Sequence, residues 1–211
     1  MGNKRKILDT ARHLFNEQGL KQVTARAICK EIGISPGSFS YHFPDKSRII
    51  ATLYTEMREE MAAAVGDLAT AEVSVLTYLE THRRHFKIQI AYRFFYLNLF
   101  EIMTQYPEIG DQYRQSTQQE RVMARQMILY YIQSGIIKPD LSPTEIDRII
   151  NVGQILNNFW ALDAELMQNL TGNGQQAYYM QICCGLLEPY LMPDSLQIYR
   201  DYFVELEKQE N

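Results

Sequence analysis

Helix-ending and helix-starting signals on both sides of position 40 leave room for a helix of only six or seven residues. The stretch GISP at 33–36 ends one helix at its glycine and begins the next with a serine N-cap and a proline in first position. The stretch PDK at 44–46 then stops the chain again. Because isolated helices shorter than about 12 residues are marginal in water, this one must be held by packing, with Phe39 turned inward. The residues that then face outward are small or hydroxylic: Gly37, Ser38, Ser40 and Tyr41.

Two longer helices are predicted before the short one. Apolar residues recur at helical spacing up to Gly19, at Ile7, Leu8, Ala11, Leu14 and Phe15. Thr24 is suited to capping a second helix that runs to about Ile32, and Cys29 supplies a small side chain where this helix would cross the short one. The second and third helices therefore form a helix-turn-helix, a motif whose second helix approaches base edges and phosphates in DNA.

The charges of the chain are divided unequally. Residues 1–50 hold nine Lys/Arg and four Asp/Glu, a net charge of +5, whereas the remaining residues carry −9 and the whole chain −4. A basic head on an acidic body is typical of a chain whose one end meets a polyanion such as nucleic acid.

The rest of the chain also has helical periodicity, with no alternating strand pattern. Asp45 is predicted to cap a long fourth helix that ends near Gly66. Further helices are predicted at about 72–87, 90–105, 108–135, 142–169, 174–191 and 194–208. We therefore expect an all-α protein, with a three-helix DNA-binding domain at 1–47 and a larger helical ligand-binding and dimerisation domain at 48–211.

No enzyme, cofactor or membrane role is expected. The sequence contains no HExxH, GxSxG or Walker motif, no long apolar run, and no apolar block near its start, which favours a cytoplasmic protein. Its three cysteines give neither a disulfide framework nor a metal spacing, so we expect them to be buried. His82 and His85 have a spacing that metal ligands can share, but the two arginines between them favour a solvated basic patch.

The N-terminal quarter resembles the TetR family of bacterial transcriptional regulators. The resemblance runs from residue 7 to residue 50, ILDTARHLFNEQGLKQVTARAICKEIGISPGSFSYHFPDKSRII, and includes the glycine and serine of the turn and the ending YHF…K. Ser40 stands where the family usually has a tyrosine, so a contact made by that tyrosine would be shortened here. Beyond residue 50 only the all-helical layout is shared. The resemblance implies a DNA-binding regulator, with a repressor expected.

The resemblance also implies which residues would contact double-stranded DNA. Thr24, Lys46 and His42 would hold phosphates. Arg26 and Lys30 would lie near the backbone or groove, although they can equally be solvated charges. Ser35 caps the recognition helix, whose residues Gly37, Ser38, Ser40 and Tyr41 would read bases, although Tyr41 can instead be a packed rim aromatic.

A homodimer is expected, because two heads about 34 to 36 Å apart would enter successive major grooves and read a near-palindrome. Two late helices carry wide apolar stripes: Ile146, Ile149, Ile150, Gly153 and Leu156 on one, and Tyr179, Ile182, Cys183, Leu186, Leu187 and Tyr190 on the other. The resemblance implies that these stripes form a four-helix bundle with a second copy. Their periodicity alone suits the core of a monomer equally well.

The body is rich in aromatic residues, especially in the segment AYRFFYLNLFEIMTQY at 91–106. The resemblance implies a cage for a small-molecule effector, and an apolar or aromatic ligand would be lined by Tyr96, Phe100, Met103, Met127, Tyr130, Asn157 and Trp160. Ligand binding would then release DNA through the fourth helix. The alternatives are that these side chains form a solid core, and that the same DNA-binding head answers to a protein partner. The C-terminal segment offers an apolar stripe for such a partner, although docking on its own body is favoured.

Overall fold

The computed structural model describes residues 2–66, 72–167 and 173–210. Within these ranges the chain forms eleven α-helices, one 3₁₀ turn at Glu188–Tyr190 and no strand, only an isolated bridge between Ile137 and Leu191. The helices are α1 Asn3–Gln18, α2 Ala25–Ile32, α3 Pro36–His42, α4 Lys46–Gly66, α5 Val75–Ala91, α6 Arg93–Leu97, α7 Leu99–Gln105, α8 Pro107–Gln133, α9 Pro143–Met167, α10 Asn173–Cys184 and α11 Pro193–Glu210. The predicted all-α fold is confirmed. No described helix has the length and apolar character that crossing a membrane requires.

The chain divides into two compact units. The first unit comprises residues 1–62 and 88–113, and the second comprises residues 63–87 and 114–211. Helices α4, α5 and α8 each contribute residues to both units. The compact units thus do not divide at residue 47, because the segment 88–113 belongs with the N-terminal helices. A functional boundary at residue 47 stays a prediction.

The helix-turn-helix forms as its sequence signals predict. The Thr24 hydroxyl accepts the Ala27 N–H at 3.2 Å at the start of α2, and Gly33 ends this helix with a φ of +68°, a conformation that disfavours residues with a Cβ. The Ser35 hydroxyl accepts the Ser38 N–H at 3.1 Å at the start of α3. Phe39 is buried, so the short helix is anchored to the head by its one large apolar side chain.

The prediction of one continuous helix over 90–105 is wrong, because the chain breaks twice in this region. Helix α5 continues to Ala91, and α6 and α7 follow separately. At the first break the Asn16 side chain donates to the Ala91 carbonyl at 2.9 Å and accepts the Phe94 N–H at 2.9 Å. At the second break the Asn98 side chain donates to the Phe94 carbonyl at 2.7 Å. At the first break a polar side chain therefore satisfies backbone groups that a continuous helix would have paired. At the second break the Phe94 carbonyl also accepts the Asn98 backbone N–H at 3.2 Å, so the Asn98 side chain adds a second bond to the same oxygen.

The helix predicted over 174–191 is also shorter than expected. Helix α10 ends at Cys184, and the 3₁₀ turn follows, with Pro189 in its first turn supplying no N–H donor. The Lys138 N–H donates to the Tyr190 carbonyl at 2.9 Å, which fixes this turn beside the loop after α8. The predicted loop at 171–174 and the last two residues of the helix predicted at 142–169 fall partly or wholly outside the described residues.

The last helix docks on its own body, as favoured from the sequence. Tyr199 and Phe203 of α11 are buried, and the Tyr202 hydroxyl donates to Glu80 Oε1 of α5 at 2.9 Å. An aromatic cluster forms another part of the second unit's core, in which the Trp160 ring lies 5.2 Å from Phe86 and 5.5 Å from Tyr179 between centroids.

Candidate nucleic-acid interface

Helix α3 presents the small and hydroxylic face that its sequence predicts. Gly37, Ser40 and Tyr41 are exposed, with Tyr41 at 85%, and Ser38 is partly exposed. A Cβ added at Gly37 would meet nothing closer than Ser35 Oγ at 3.9 Å, so no packing within the chain requires a glycine there. The missing side chain instead leaves room for a close partner, and these four positions remain our predicted base-reading surface.

The Tyr41 ring does not pack into the head. Its closest ring neighbour is His42, whose centroid lies 5.1 Å away with the two planes nearly perpendicular. His42 is partly exposed, so both rings lie at the end of α3 where a ligand can reach them. The alternative that Tyr41 is a packed rim aromatic is therefore not favoured.

The two capping hydroxyls keep a hydrogen to donate. Thr24 and Ser35 are exposed and accept backbone N–H groups through their oxygens, as described above. A hydroxyl that accepts in this way still carries its own proton, which it can donate to a phosphate oxygen. Arg26 and Lys30 of α2 are also exposed, which suits both a role at the DNA backbone and a role as solvated charges.

Lys46 has a different environment from the one expected of a phosphate ligand. Its Nζ donates to the Leu20 carbonyl and lies 5.3 Å from the centroid of the Phe15 ring. Burial lowers the pKa of this ammonium, while nearby Glu101 opposes the decrease. The side chain therefore fastens the end of α1 to the start of α4, and the prediction that Lys46 is a free phosphate contact needs revision. The exposed Arg48, two residues further along the chain, was missed from the sequence because the family motif ends in the lysine.

An ion-pair network, also missed, holds α1 in place. Arg5 donates to Asp9 on the same helix and to Glu56 Oε1 of α4 at 3.0 Å, and its hydrogen bond is the main cause that lowers the pKa of the Asp9 carboxyl. The Arg12 guanidinium carbon lies 4.9 Å from the centroid of the Tyr92 ring at the end of α5. Glu56 and Tyr92 are distant in sequence from α1, so no local pattern reveals these two contacts.

The residues predicted to line a ligand pocket are not gathered in one unit. Tyr96, Phe100 and Met103 lie in the first unit, and Met127, Tyr130, Asn157 and Trp160 lie in the second. Tyr96 and Trp160 are buried, whereas the Phe100 side chain is 83% exposed. The exposed Phe100 does not have the surroundings of a pocket-lining residue in this structure.

The residues predicted for the dimer interface fall into two groups. Side chains buried in the chain's own core have no surface to give a partner: Ile146, Ile149, Tyr179, Cys183 and Leu187. The others keep part of their surface exposed: Ile150, Gly153, Leu156, Ile182, Leu186 and Tyr190. A different face of α9 also carries exposed apolar side chains, which were not predicted for the interface: Val152, Ile155, Phe159, Leu162 and Leu166. Their spacing of three or four residues is a signal that the sequence analysis overlooked.

The cysteines and histidines of the body also have defined places. All three cysteines are free and buried, and burial raises the pKa of Cys183 to about 12. The expectation of a solvated basic patch around His82 is wrong, because its ring packs against Tyr78 with centroids 4.2 Å apart. Among the residues that the structure describes, no group of three or more His, Cys, Asp or Glu side chains is arranged to hold a metal ion.

Comparison with known proteins identifies the family. The sequence pattern described as "Bacterial regulatory proteins, tetR family" matches residues 7–53, and that of the TetR "Bacterial transcriptional repressor" matches residues 54–199. The chain therefore belongs to the TetR family of bacterial regulatory proteins.

Individual relatives match less of the chain in sequence than in fold. The HTH-type transcriptional regulator UidR of Escherichia coli K12 is 36% identical over 58 residues, which cover 28% of this chain and 30% of UidR. The chain thus spans about a third of the length of the curated relatives it matches. A TetR-family regulator from Marinobacter aquaeolei VT8 shares the fold with a TM-score of 0.86 and 21% identity, over 98% of this chain and 99% of that one. A transcriptional regulator from Saccharomonospora viridis, solved in complex with choline, has a TM-score of 0.66 and 20% identity, over 88% and 95% of the two chains.

Proposed function

We propose that this chain is a ligand-responsive repressor that binds a near-palindromic operator as a homodimer. The observation that carries the proposal is the outward face of α3, where a missing side chain, three hydroxyl-bearing residues and a capped N-terminus stand together in a head of net charge +5. Such a face suits close approach to base edges, while the surrounding positive charge favours a polyanion.

Dimerisation is supported by the two apolar faces of α9. One face is buried within the chain and includes Ile146, Ile149, Trp160, Ala161 and Ala164. The opposite face carries the exposed side chains Val152, Ile155, Phe159, Leu162 and Leu166, which we name the α9 outer face. An amphipathic surface helix has polar residues on its solvent side, so a second apolar stripe indicates a binding surface. In a two-fold dimer the α9 outer face would meet the same face of the partner.

The dimer assignment can be tested with one charge on that face. Phe159→Asp should convert a dimer into a monomer in static light scattering, because it places a charge where an apolar contact would close. Met123→Asp is the matched control, since Met123 is similarly exposed on α8 and lies outside the α9 outer face. A Phe159→Asp variant that stays dimeric with an intact fold would reject this interface. Operator binding should weaken together with dimer loss.

Response to a small molecule is supported by the acidic, aromatic-rich second unit and by the relative that was solved with choline. Three helices, α4, α5 and α8, run through both compact units, which gives a ligand in the second unit continuous elements through which to bias the first. A coupling of about 1–3 kcal/mol is enough to change operator affinity 5- to 150-fold.

A protein partner remains the second candidate for the regulating signal. The observation that favours it is a set of exposed apolar side chains on α8: Val122, Met123, Met127, Leu129 and Tyr130. A partner binding there would be lost in the Met123→Asp variant while the dimer and operator binding survive. Regulation in cells that is unchanged by this variant, and abolished by substitutions inside the second unit, would favour the small molecule.

A further inference from the structure

The first turn of α1 lies beside the outward face of α3. Asn3, the first residue of α1, donates a hydrogen bond from Nδ2 to the Ser38 Oγ at 3.4 Å. The two residues are 35 positions apart in sequence, and both are accessible to solvent. Ser38 is one of the four positions of the predicted base-reading surface. An amide from a different helix therefore contacts a hydroxyl that would meet a base.

The backbone that carries Asn3 is held in place by the rest of α1. Ile7 and Leu8, in the next turn of the helix, are buried in the core. Arg5, two residues after Asn3, donates to Glu56 Oε1 of α4 at 3.0 Å. Apolar packing and an ion pair thus fix the start of α1 close to the point where its side chain contacts Ser38. The contact joins two anchored helices.

The Ser38 hydroxyl keeps its own proton available for a partner outside the chain. A hydroxyl in a helix often donates to the carbonyl four residues earlier, as those of Thr52 and Thr55 do here at 2.8 Å and 3.1 Å. In the described part of the chain, the Ser38 hydroxyl takes part only in the bond from Asn3, in which its oxygen is the acceptor. The proton that it still carries can therefore be donated to DNA.

The charges around Asn3 favour this direction of the hydrogen bond. The first N–H groups of a helix have no partner within it and carry partial positive charge, which attracts an amide oxygen and repels an amide NH₂ group. No acidic residue lies in the first turn of α1, and Lys4 and Lys6 there are exposed cations. The amide oxygen of Asn3 is therefore favoured toward its own helix, with Nδ2 directed to Ser38. The same positive surroundings favour the approach of DNA.

The direction of this bond determines which bases Ser38 favours. In the major groove guanine and thymine present only acceptors, cytosine presents only a donor, and adenine presents both. A Ser38 hydroxyl that accepts from Asn3 donates its proton to guanine, thymine or adenine. Cytosine would bond only the remaining lone pair, which leaves the hydroxyl proton unpaired in a closed interface. We propose that Asn3 is a positioning residue that holds the Ser38 hydroxyl as a donor, so that the head disfavours cytosine at the base that Ser38 contacts. This inference rests on the proposed base reading by α3.

The test first locates the base that Ser38 contacts. Duplexes bound by the unsubstituted protein and by Ser38→Ala are selected from one random library at fixed salt and sequenced. The half-site position whose preference changes is the Ser38 position, and four duplexes that differ only there are then compared by mobility-shift competition. The unsubstituted protein should bind the cytosine duplex about fivefold more weakly than those with guanine, thymine or adenine. No position that responds to Ser38→Ala, or a cytosine duplex bound as tightly as the other three, would overturn the inference.

Substitutions at Asn3 then reverse or remove the bond without touching Ser38. A carboxylate only accepts, so in Asn3→Asp the Ser38 proton turns to the carboxylate and the oxygen faces the base with its lone pairs. The preference should invert, with the cytosine and adenine duplexes bound about fivefold more tightly than those with guanine and thymine. In Asn3→Ala the hydroxyl rotates freely, and the four duplexes should bind within about twofold of one another. An unchanged preference in both variants would show that Asn3 does not position Ser38.

Lys4→Gln is the matched control for charge. It removes one positive charge from the residue next to Asn3, as Asn3→Asp does by adding a negative one, and Lys4 is exposed. It should weaken binding of all four duplexes alike, because phosphate contacts carry no base preference. An inversion in Lys4→Gln equal to that in Asn3→Asp would overturn the inference in favour of a general charge effect. Neither Asn3 nor Ser38 is buried, so every variant should fold with a nearly unchanged Tm.

The failure of this inference is distinguishable from failure of the proposed function. Selection with the unsubstituted protein tests whether the head reads a near-palindrome at all, and recovery of no preferred sequence would overturn both proposals. Recovery of a near-palindrome whose base preferences are the same in the unsubstituted protein, Asn3→Ala and Asn3→Asp would reject only the role of Asn3. An inverted preference at the Ser38 position alone is the expected result when both proposals hold.

Discussion

Lys46 provides the sharpest distinction between a residue that shapes the DNA-binding head and one that touches DNA. In Lys46→Met the hydrogen bond from Nζ to the Leu20 carbonyl is lost, as is the cation above the Phe15 ring, while the apolar stem is largely kept. A hydrogen bond involving a charged group contributes about 1.5–3 kcal/mol, and a cation over an aromatic face about 0.5–2 kcal/mol. Because the ammonium is only partly buried, we expect a net loss of about 2 kcal/mol.

The assay measures two quantities on the same variant. A loss of about 2 kcal/mol should lower the Tm by about 4–8 °C in a chain of this size. The dependence of operator affinity on salt should not change, because each phosphate contact contributes about 0.9 to the slope of log affinity against log salt and Lys46 makes none. The matched variant is Arg48→Met, whose exposed side chain lies two residues away. That variant should reduce the salt slope by about one and leave the Tm within about 2 °C of the unsubstituted protein.

The opposite pattern would refute the reasoning. If Lys46→Met flattens the salt slope by about one and leaves the Tm unchanged, Lys46 leaves the Leu20 carbonyl and binds a phosphate in the complex. The family-derived expectation would then be right, and the contact seen in the free chain would be irrelevant to the bound state.

Three further predictions concern base reading, the helix break and pH. Tyr41→Ala should weaken operator binding by about 1–3 kcal/mol in a mobility-shift titration, with non-specific DNA binding and Tm unchanged, because the ring is exposed; equal operator affinity would misplace the reading face. Asn16→Ala should lower the free energy of unfolding by about 2 kcal/mol in urea, since it leaves the Ala91 carbonyl and Phe94 N–H unpaired, whereas a loss below about 0.5 kcal/mol would mean that water replaces the amide. The pKa of His82 is about 4 in the folded chain and about 6.5 in the unfolded chain, so the unfolded chain binds the extra proton and the free energy of unfolding falls as the pH decreases through this interval. Between pH 7 and pH 5 the unsubstituted protein should lose about 2 kcal/mol more of its free energy of unfolding than the His82→Phe variant loses. Equal losses in the two proteins would contradict the buried neutral ring.

The helix-turn-helix could be predicted because its signals are local. Thr24, Gly33 and Ser35 each act on backbone groups within a few residues, so their identities are sufficient to fix where α2 ends and α3 begins. Phe39 is the only large apolar residue between the caps that could anchor so short a helix. The fold class followed in the same way, from apolar periodicity that each helix carries in its own sequence.

The breaks in the body could not be predicted, because the groups that cause them are distant in sequence. The Asn16 side chain hydrogen-bonds backbone atoms 75 and 78 residues away. The sequence around Tyr92 contains no signal that a side chain from α1 will pair the backbone groups there. Lys46 and Leu20 are similarly separated, by 26 residues. A motif identified the lysine but not its partner, so its role was assigned from the family instead of from its surroundings.

The α9 outer face and the packing of His82 were missed for a related reason. Helix α9 is apolar on two sides, and periodicity shows that stripes exist without showing which side the chain itself will cover. The two arginines between His82 and His85 made the segment look solvated, yet Arg83 pairs with Glu80 at 2.8 Å and His82 packs against Tyr78. Because the Arg83 guanidinium pairs with the Glu80 carboxylate, a segment that contains two arginines can still pack the neutral His82 imidazole against Tyr78.

The most direct measurement of the central claim is selection of bound duplexes from a random library at fixed, near-physiological salt, followed by sequencing. The proposed dimeric reader predicts a near-palindrome whose half-sites have centres about 10 base pairs, or a whole number of helical turns, apart. Recovery of no preferred sequence, with weak and steeply salt-dependent binding, would contradict the account, because the head would then grip phosphates without reading bases.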